Sequence, residues 1–218
     1  MNKRPRDMEG GQARLRFTGH IAGAGTSGGT RLVLGRWMRS PHGPFADVMV
    51  QRPDGHRILL APDAWVTEFV AATYSFDEVL EVPVQVQVPD AGAAAGSRWH
   101  VTAGPLTWAF EVGGRMPLGH VLRAVPGPVG RSLTMARITD RVARWAMPGV
   151  RTLGSAGNDR LEWYAARDLH RITASTATWA GEDLGRLADL DPPAEFGFSS
   201  TPRHPSLTTL TSTVRLPR

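Results

Sequence analysis

The chain has 218 residues, 41% hydrophobic and 21% charged, so it can bury one sizeable core and lacks the composition of a disordered chain. It contains no cysteine, which excludes disulfides, thiolate nucleophiles, CxxC redox chemistry and cysteine-ligated zinc or iron–sulfur sites. The net charge of +5 comes from 25 Lys and Arg against 20 Asp and Glu; the basic residues are scattered, which weighs against nucleic acid.

Residues 1–12, MNKRPRDMEGGQ, read as a disordered tail. They lack the apolar stretch of a secretion signal, and no run reaches the roughly 18 apolar residues of a membrane span. A cytoplasmic protein without membrane contact is expected. Lysine occurs once, at Lys3 in this tail, and nearly all other positive charge is arginine, as in GC-rich coding sequences. Residues 13–218 then form a single domain. Its 24 Gly and 17 Pro favour short strands joined by turns.

From Ala13 the pattern is strand-like, with Leu15 and Phe17 alternating with Arg14, Arg16 and Thr18. GAGTSGG then turns the chain into TRLVLGRWM. FADVMVQ and HRILLA flank Arg52-Pro53-Asp54-Gly55, a turn sequence that predicts a hairpin. Asp63 can cap a short helix, AWVTEFVAATY, with Trp65, Phe69 and Ala72 on one face. LEVPVQVQV reads as one strand with Val82, Val84, Val86 and Val88 on one face and Pro83 near an edge. RWHVTA and LTWAFEV pair next, Leu106, Trp108, Phe110 and Val112 sharing a face.

Residues 116–149 are expected as a helical insertion. Ser132 caps SLTMARITDRVARWAM, with Met135, Ile138, Val142 and Trp145 as an apolar stripe. Arg137, Arg141 and Arg144 form a basic stripe, read as a solvated face partly neutralised by Asp140. Strands return in RLEWYAARD and LHRITASTATW, a helical or turn segment follows around GEDLGRLADL, and TTLTSTVRL is the last strand. Hairpin-linked strands with few crossover helices predict a mainly β fold, an antiparallel barrel or sandwich with two or three short helices.

Local catalytic motifs are sparse. Gly23-Ala-Gly25-Thr-Ser-Gly28 matches the dinucleotide fingerprint in spelling, but a strand follows it where a helix N-terminus must face the pyrophosphate, so it reads as a hairpin turn. The seven histidines form no HxxxH or HExxH, and Ser155 in LGSAG lacks the nucleophile-elbow spacing. No cofactor and no metal is expected.

Two carboxylates stand out. Asp47 lies between Phe45 and Met49 on one face of PFADVMV, opposite Ala46, Val48 and Val50. Both faces are apolar, so burial should raise its pKa. In DRLEWYAARD, Glu162 shares a face with Arg160 and Tyr164. Lining a cavity, that row is a recognition or acid–base site; on an outer face it is a cross-strand ion pair of under about 1 kcal/mol.

The order of elements resembles the acetoacetate decarboxylase-like superfamily, on LVLGRWMRSPHGPFADVMV, VQVQVPD with RWHVTAGPLTWAFEV, and RLEWYAARDLHRITASTATWAGEDLGRLADL with TLTSTVRLP. The resemblance implies a β-barrel around an internal polar cavity. Asp47 would fall at its acidic residue and Glu162 at its cavity glutamate. Those decarboxylases form a Schiff base through a lysine after the first helix. The corresponding stretch, FVAATYSFDEV, holds Tyr74, Asp77 and Glu78 but no lysine, so imine chemistry is not expected.

The expected function is a small-molecule-binding barrel in which Asp47 and Glu162 are the candidate acid–base residues. Phe45, Met49, Tyr74, Arg160 and Tyr164 would contact an oxo or hydroxy compound. Turnover and homo-oligomer formation are left open. The alternative is an interaction protein that docks an acidic partner or nucleic acid through the arginine-rich helix 133–147.

Overall fold

The computed structural model describes residues 7–9, 12–90, 92–126, 130, 132–146, 150–156 and 159–217. Its strands are β1 (Asp7–Glu9), β2 (Gln12–Thr26), β3 (Arg31–Arg39), β4 (Phe45–Gln51), β5 (Arg57–Ala61), β6 (Glu78–Glu81), β7 (Val84–Gln87), β8 (Arg98–Ala103), β9 (Leu106–Arg115), β10 (Leu153–Ala156), β11 (Arg160–Trp179), β12 (Glu182–Asp183), β13 (Leu187–Ala188) and β14 (Ser206–Arg215). Three helices accompany them: α1 (Ala64–Ala71), α2 (Pro117–Ala124) and α3 (Leu133–Ala146). None of the helices among the described residues is long and apolar enough to cross a membrane.

The strands form one sheet in the order β6-β5-β4-β3-β2-β14-β11-β9-β8-β7, curled into an open half-barrel. Every ladder is antiparallel except β5–β6. A parallel pair needs a crossover, and α1 supplies it between β5 and β6. The expected hairpin at Pro53-Asp54-Gly55 joins β4 to β5, with Gly55 at φ +91° where a side chain would be strained. GAGTSGG lies in β2 and the turn into β3, as the absence of a helix signal required.

Alternation sorts the side chains onto two faces. On one, Leu32, Leu34, Ala46, Val48 and Val50 meet Trp99, Val101, Trp108 and Phe110, which come from the other side of the curl. Trp99, Trp108 and Phe110 are fully buried, and each such side chain contributes on the order of 2–3 kcal/mol. This interior is apolar and occupied by side chains. The cavity lined by Asp47 and Glu162 lies on the opposite face of the sheet, beneath α1.

Three expectations are corrected. LEVPVQVQV is two strands: Pro83 interrupts the ladder, so β6 pairs with β5 and β7 with β8, at opposite ends of the sheet. GEDLGRLADL takes the turn of its two readings, with Gly185, at φ +98°, between the two-residue strands β12 and β13. Within the segment read as a tail, Asp7–Glu9 pair with β2, while residues 1–6 and 10–11 lie outside the described residues. The last correction concerns α3.

Ser132 caps α3 as expected, its hydroxyl accepting from Met135 N–H at 3.2 Å. Of the apolar stripe, Val142 and Trp145 lie outside the described side chains, and Met135 is only half-buried. Ile138 is 54% exposed, and Ala136 and Asp140 are the buried positions. Asp140 is buried and lies 4.0 Å from Arg151 Nε. Its Oδ1 accepts the backbone N–H of Thr152 at 2.9 Å and of Leu153 at 3.2 Å, tying the helix to β10. Arg137 and Arg141 are exposed; the side chains from Val142 through Ala146, including Arg144 and Trp145, lie outside the described residues.

Candidate functional site

The site forms because α1 is held tightly over β4 and β5. Asp63 is its N-cap, accepting from Val66 N–H at 2.9 Å, and Val66 and Val70 pack on Leu59 and Ala61. Trp65 and Phe69, one turn apart, stack at 5.2 Å, and Phe69 continues onto Phe17 of β2 at 4.9 Å. Phe69, Val70, Thr73 and Tyr74 thereby roof a cavity whose floor is the sheet. Its volume is about 50 Å³. At roughly 30 Å³ of liquid volume per water, that is room for one or two waters, or a guest of a few non-hydrogen atoms.

Register delivers the floor. Gly35 lies opposite Asp47 and Trp37 opposite Phe45 in the β3–β4 ladder. Glu162 faces Val214, and Tyr164 faces Ser212, in the β11–β14 ladder. Phe17 faces Ser212 in the β2–β14 ladder. A register shift between Ala166 and Asp168 follows in β11, so the site-facing parity holds only for the first part of that long strand.

Asp47 is 2% exposed and has one side-chain hydrogen bond, from Trp37 Nε1 to Oδ1 at 3.1 Å. No hydrogen bond to its Oδ2 is found among the described residues, and Asp47 lines the cavity. Burial raises its pKa to about 7; the Trp37 bond opposes the rise and the charge on Glu162 adds to it. Glu162, 4% exposed, is also raised by burial, but hydroxyl donors work against that. Ser212 Oγ donates to Oε1 at 2.6 Å and Tyr74 OH to Oε2 at 2.8 Å. The Tyr164 hydroxyl lies 2.8 Å from that of Tyr74, so it donates when Tyr74 donates to Glu162. Burial, then the glutamate charge, push both tyrosines well above their usual range, and both stay protonated.

Asp47, Glu162, Phe45, Met49 and Tyr74, all singled out from sequence, line this one cavity. Tyr164 stands behind the lining, stacked on Phe198 at 5.6 Å. Arg160 is placed elsewhere. One of its terminal nitrogens donates to Phe69 O at 3.0 Å and Thr73 Oγ1 at 2.9 Å, with the guanidinium 5.0 Å above the Phe69 ring. It secures the end of α1 rather than lining the cavity, and burial lowers its pKa. Asp77 and Glu78 turn away from the cavity to Arg57 and His56.

Trp37, Ser212, Phe17 and Thr73 also line the cavity without having been singled out. Trp37 and Phe17 sit at strand positions of the same parity as their lined neighbours, which was the available signal. Among the described residues no cluster of three His, Asp or Glu side chains is placed to hold a metal ion. Compared with known proteins, the chain matches no protein-family model and no curated protein.

Proposed function

We propose that this chain binds a small oxo or hydroxy compound in the cavity beneath α1 and performs acid–base chemistry on it. Asp47 is the proton-transfer group. The observation that carries this reading is a buried carboxyl with a single hydrogen-bond donor, bordering a cavity beside a second carboxyl. A proton-transfer group works best when its pKa lies near the working pH, and Asp47 at about 7 meets that condition. Burial keeps Asp47 proton-loaded, the charge on Glu162 adds to that, and Glu162 holds Tyr74 in place. Two carboxyls whose surroundings treat them differently is the usual basis for separate acid and base roles.

The likeness to acetoacetate decarboxylase-like proteins supports a reaction at a carbonyl, although no lysine stands among the described lining residues to form an imine there. The test is deuterium wash-in at the α-carbon of small ketones in D2O, followed by NMR. Wild type should accelerate exchange and Asp47→Asn should lose most of the acceleration. An enzyme that leaves every ketone of a size range unexchanged overturns the acid–base assignment.

A second reading has one observation in its favour: Arg137, Arg141 and Ile138 of α3 are all exposed. In it, α3 docks an acidic partner. Retention on heparin that falls steeply with salt would favour it, and retention that ignores salt would count against it.

A further inference from the structure

Resting on the small-molecule reading above, we infer that the occupant of the Asp47 cavity is an uncharged hydrogen-bond acceptor of a few non-hydrogen atoms, such as a ketone, aldehyde or amide, and not a carboxylate. The lining carries the argument. Among the described residues it contains Asp47 and Glu162 but no Lys, Arg or His. A carboxylate entering it would lose its water and gain no cation, while facing two acidic groups. Arg160, whose charge acts on Glu162, spends its contacts on Phe69 and Thr73 behind the wall.

What the cavity offers instead is a proton. Glu162 is engaged by Ser212 and Tyr74, with Tyr164 behind. Asp47 alone has an oxygen left over, and when protonated it can donate to a carbonyl oxygen. The rest of the wall, including Phe17, Trp37, Phe45 and Val214, suits a small alkyl group. The volume of about 50 Å³ is well short of the roughly 300–1,000 Å³ of drug-sized sites, so the guest is small.

Charge class shows in the pH dependence. An uncharged acceptor needs Asp47 protonated, so its affinity weakens as pH rises through neutrality; an organic cation would displace the proton and bind more tightly. The titratable groups that face Asp47 are Glu162 of β11 and Tyr74 beyond α1, with Tyr164 and Arg160 behind them. The cavity residues of β2, β3 and β14 are Phe17, Ile21, Val33, Gly35, Trp37, Ser212 and Val214, none of which titrates in this range.

The experiment uses planar isosteres of different charge: acetamide, acetate and acetamidinium, with acetone alongside. Saturation-transfer NMR on the full chain reads binding at ~pH 6 and ~pH 8. Acetamide and acetone should bind, about tenfold more weakly at the higher pH, because a group titrating near 7 changes its protonated fraction by that factor. Acetate should not bind. Asp47→Asn should retain binding of acetone or acetamide with no pH dependence, which separates Asp47 from Glu162. Acetate binding as well as acetamide, or acetamidinium binding best and strengthening with pH, overturns the inference while leaving a small-molecule site. Failure of all four to bind wild type overturns the site itself. Should the variant not fold, the wild-type pH profile decides alone.

Discussion

Gly35 faces Asp47 across the β3–β4 ladder, and a Cβ at Gly35 would come within 2.7 Å of Asp47 Oδ1 and 2.9 Å of Trp37 Nε1. The one hydrogen bond that Asp47 receives therefore passes through the space left by a missing side chain. Both neighbours are packed, so neither can yield freely.

Gly35→Ala is predicted to destabilise the protein by about 1–3 kcal/mol, as overpacking in a well-filled region does. The Trp37–Asp47 bond should be lost with it. Urea unfolding measures the first effect and the indole N–H shift of Trp37 in NMR the second. An unchanged indole shift would mean that the two side chains tolerate the methyl group.

Asp47→Asn is predicted to be stabilising at neutral to alkaline pH. A carboxyl whose pKa is raised from 3.8 to about 7 on folding binds more protons in the native state, so stability falls as pH rises from about 4 to about 7. At about 1.4 kcal/mol per unit, the difference amounts to some 4 kcal/mol above that window. Glu162, raised by burial, works in the same direction. Unfolding midpoints of wild type and Asp47→Asn across this range should converge at the acidic end and diverge as pH rises. Parallel curves would show that Asp47 does not titrate differently on folding.

Ser212→Ala removes the shortest bond to Glu162 and leaves a buried carboxylate short of a donor. Hydrogen bonds to charged groups contribute about 1.5–3 kcal/mol, and that is the expected loss. The cost should shrink on acidification, when Glu162 is protonated in both forms. A loss independent of pH would assign it to packing alone. Tyr74→Phe should behave alike, since it removes the donor to the other oxygen.

Arg160→Met keeps most of the aliphatic stem and removes both bonds to the end of α1. A loss of about 1–3 kcal/mol is predicted, from unsatisfied groups at Phe69 O and Thr73. Binding of acetone by the folded variant should change little, because Arg160 does not line the cavity. A large change in binding with intact stability would place Arg160 in recognition after all.

Much of this was legible in sequence because period-two alternation reports burial directly. Asp47 between Phe45 and Met49, and Glu162 two residues from Tyr164, were recognisable as polar positions on otherwise apolar strands. Cap chemistry at Asp63 and Ser132 was equally local. What escaped depends on partners distant in sequence. Nothing in PFADVMV says that Trp37 reaches Asp47, and nothing in TTLTSTVRL says that Ser212 meets Glu162. Arg160 shares the parity of Glu162, yet its length lets it pass the cavity and reach the end of α1. That Asp140 of α3 anchors the backbone N–H groups of Thr152 and Leu153 was likewise invisible in the helix's own sequence.

The strand β14 lies between β2 and β11, so it joins the β2–β6 half of the sheet to the half that runs from β11 to β7. Arg14 is paired with Arg215 and Gly23 with Ser206, contacts between opposite extremes of the sequence. The floor of the cavity cannot close before those long loops do, and loop-closure entropy is spent well before the pairing compensates for it. Folding should therefore be slow for a chain of this size. Until β14 is seated, the long flanks of β2 and β11 stand open as unpaired edges, which makes the period before its insertion the one in which the chain is most exposed to self-association.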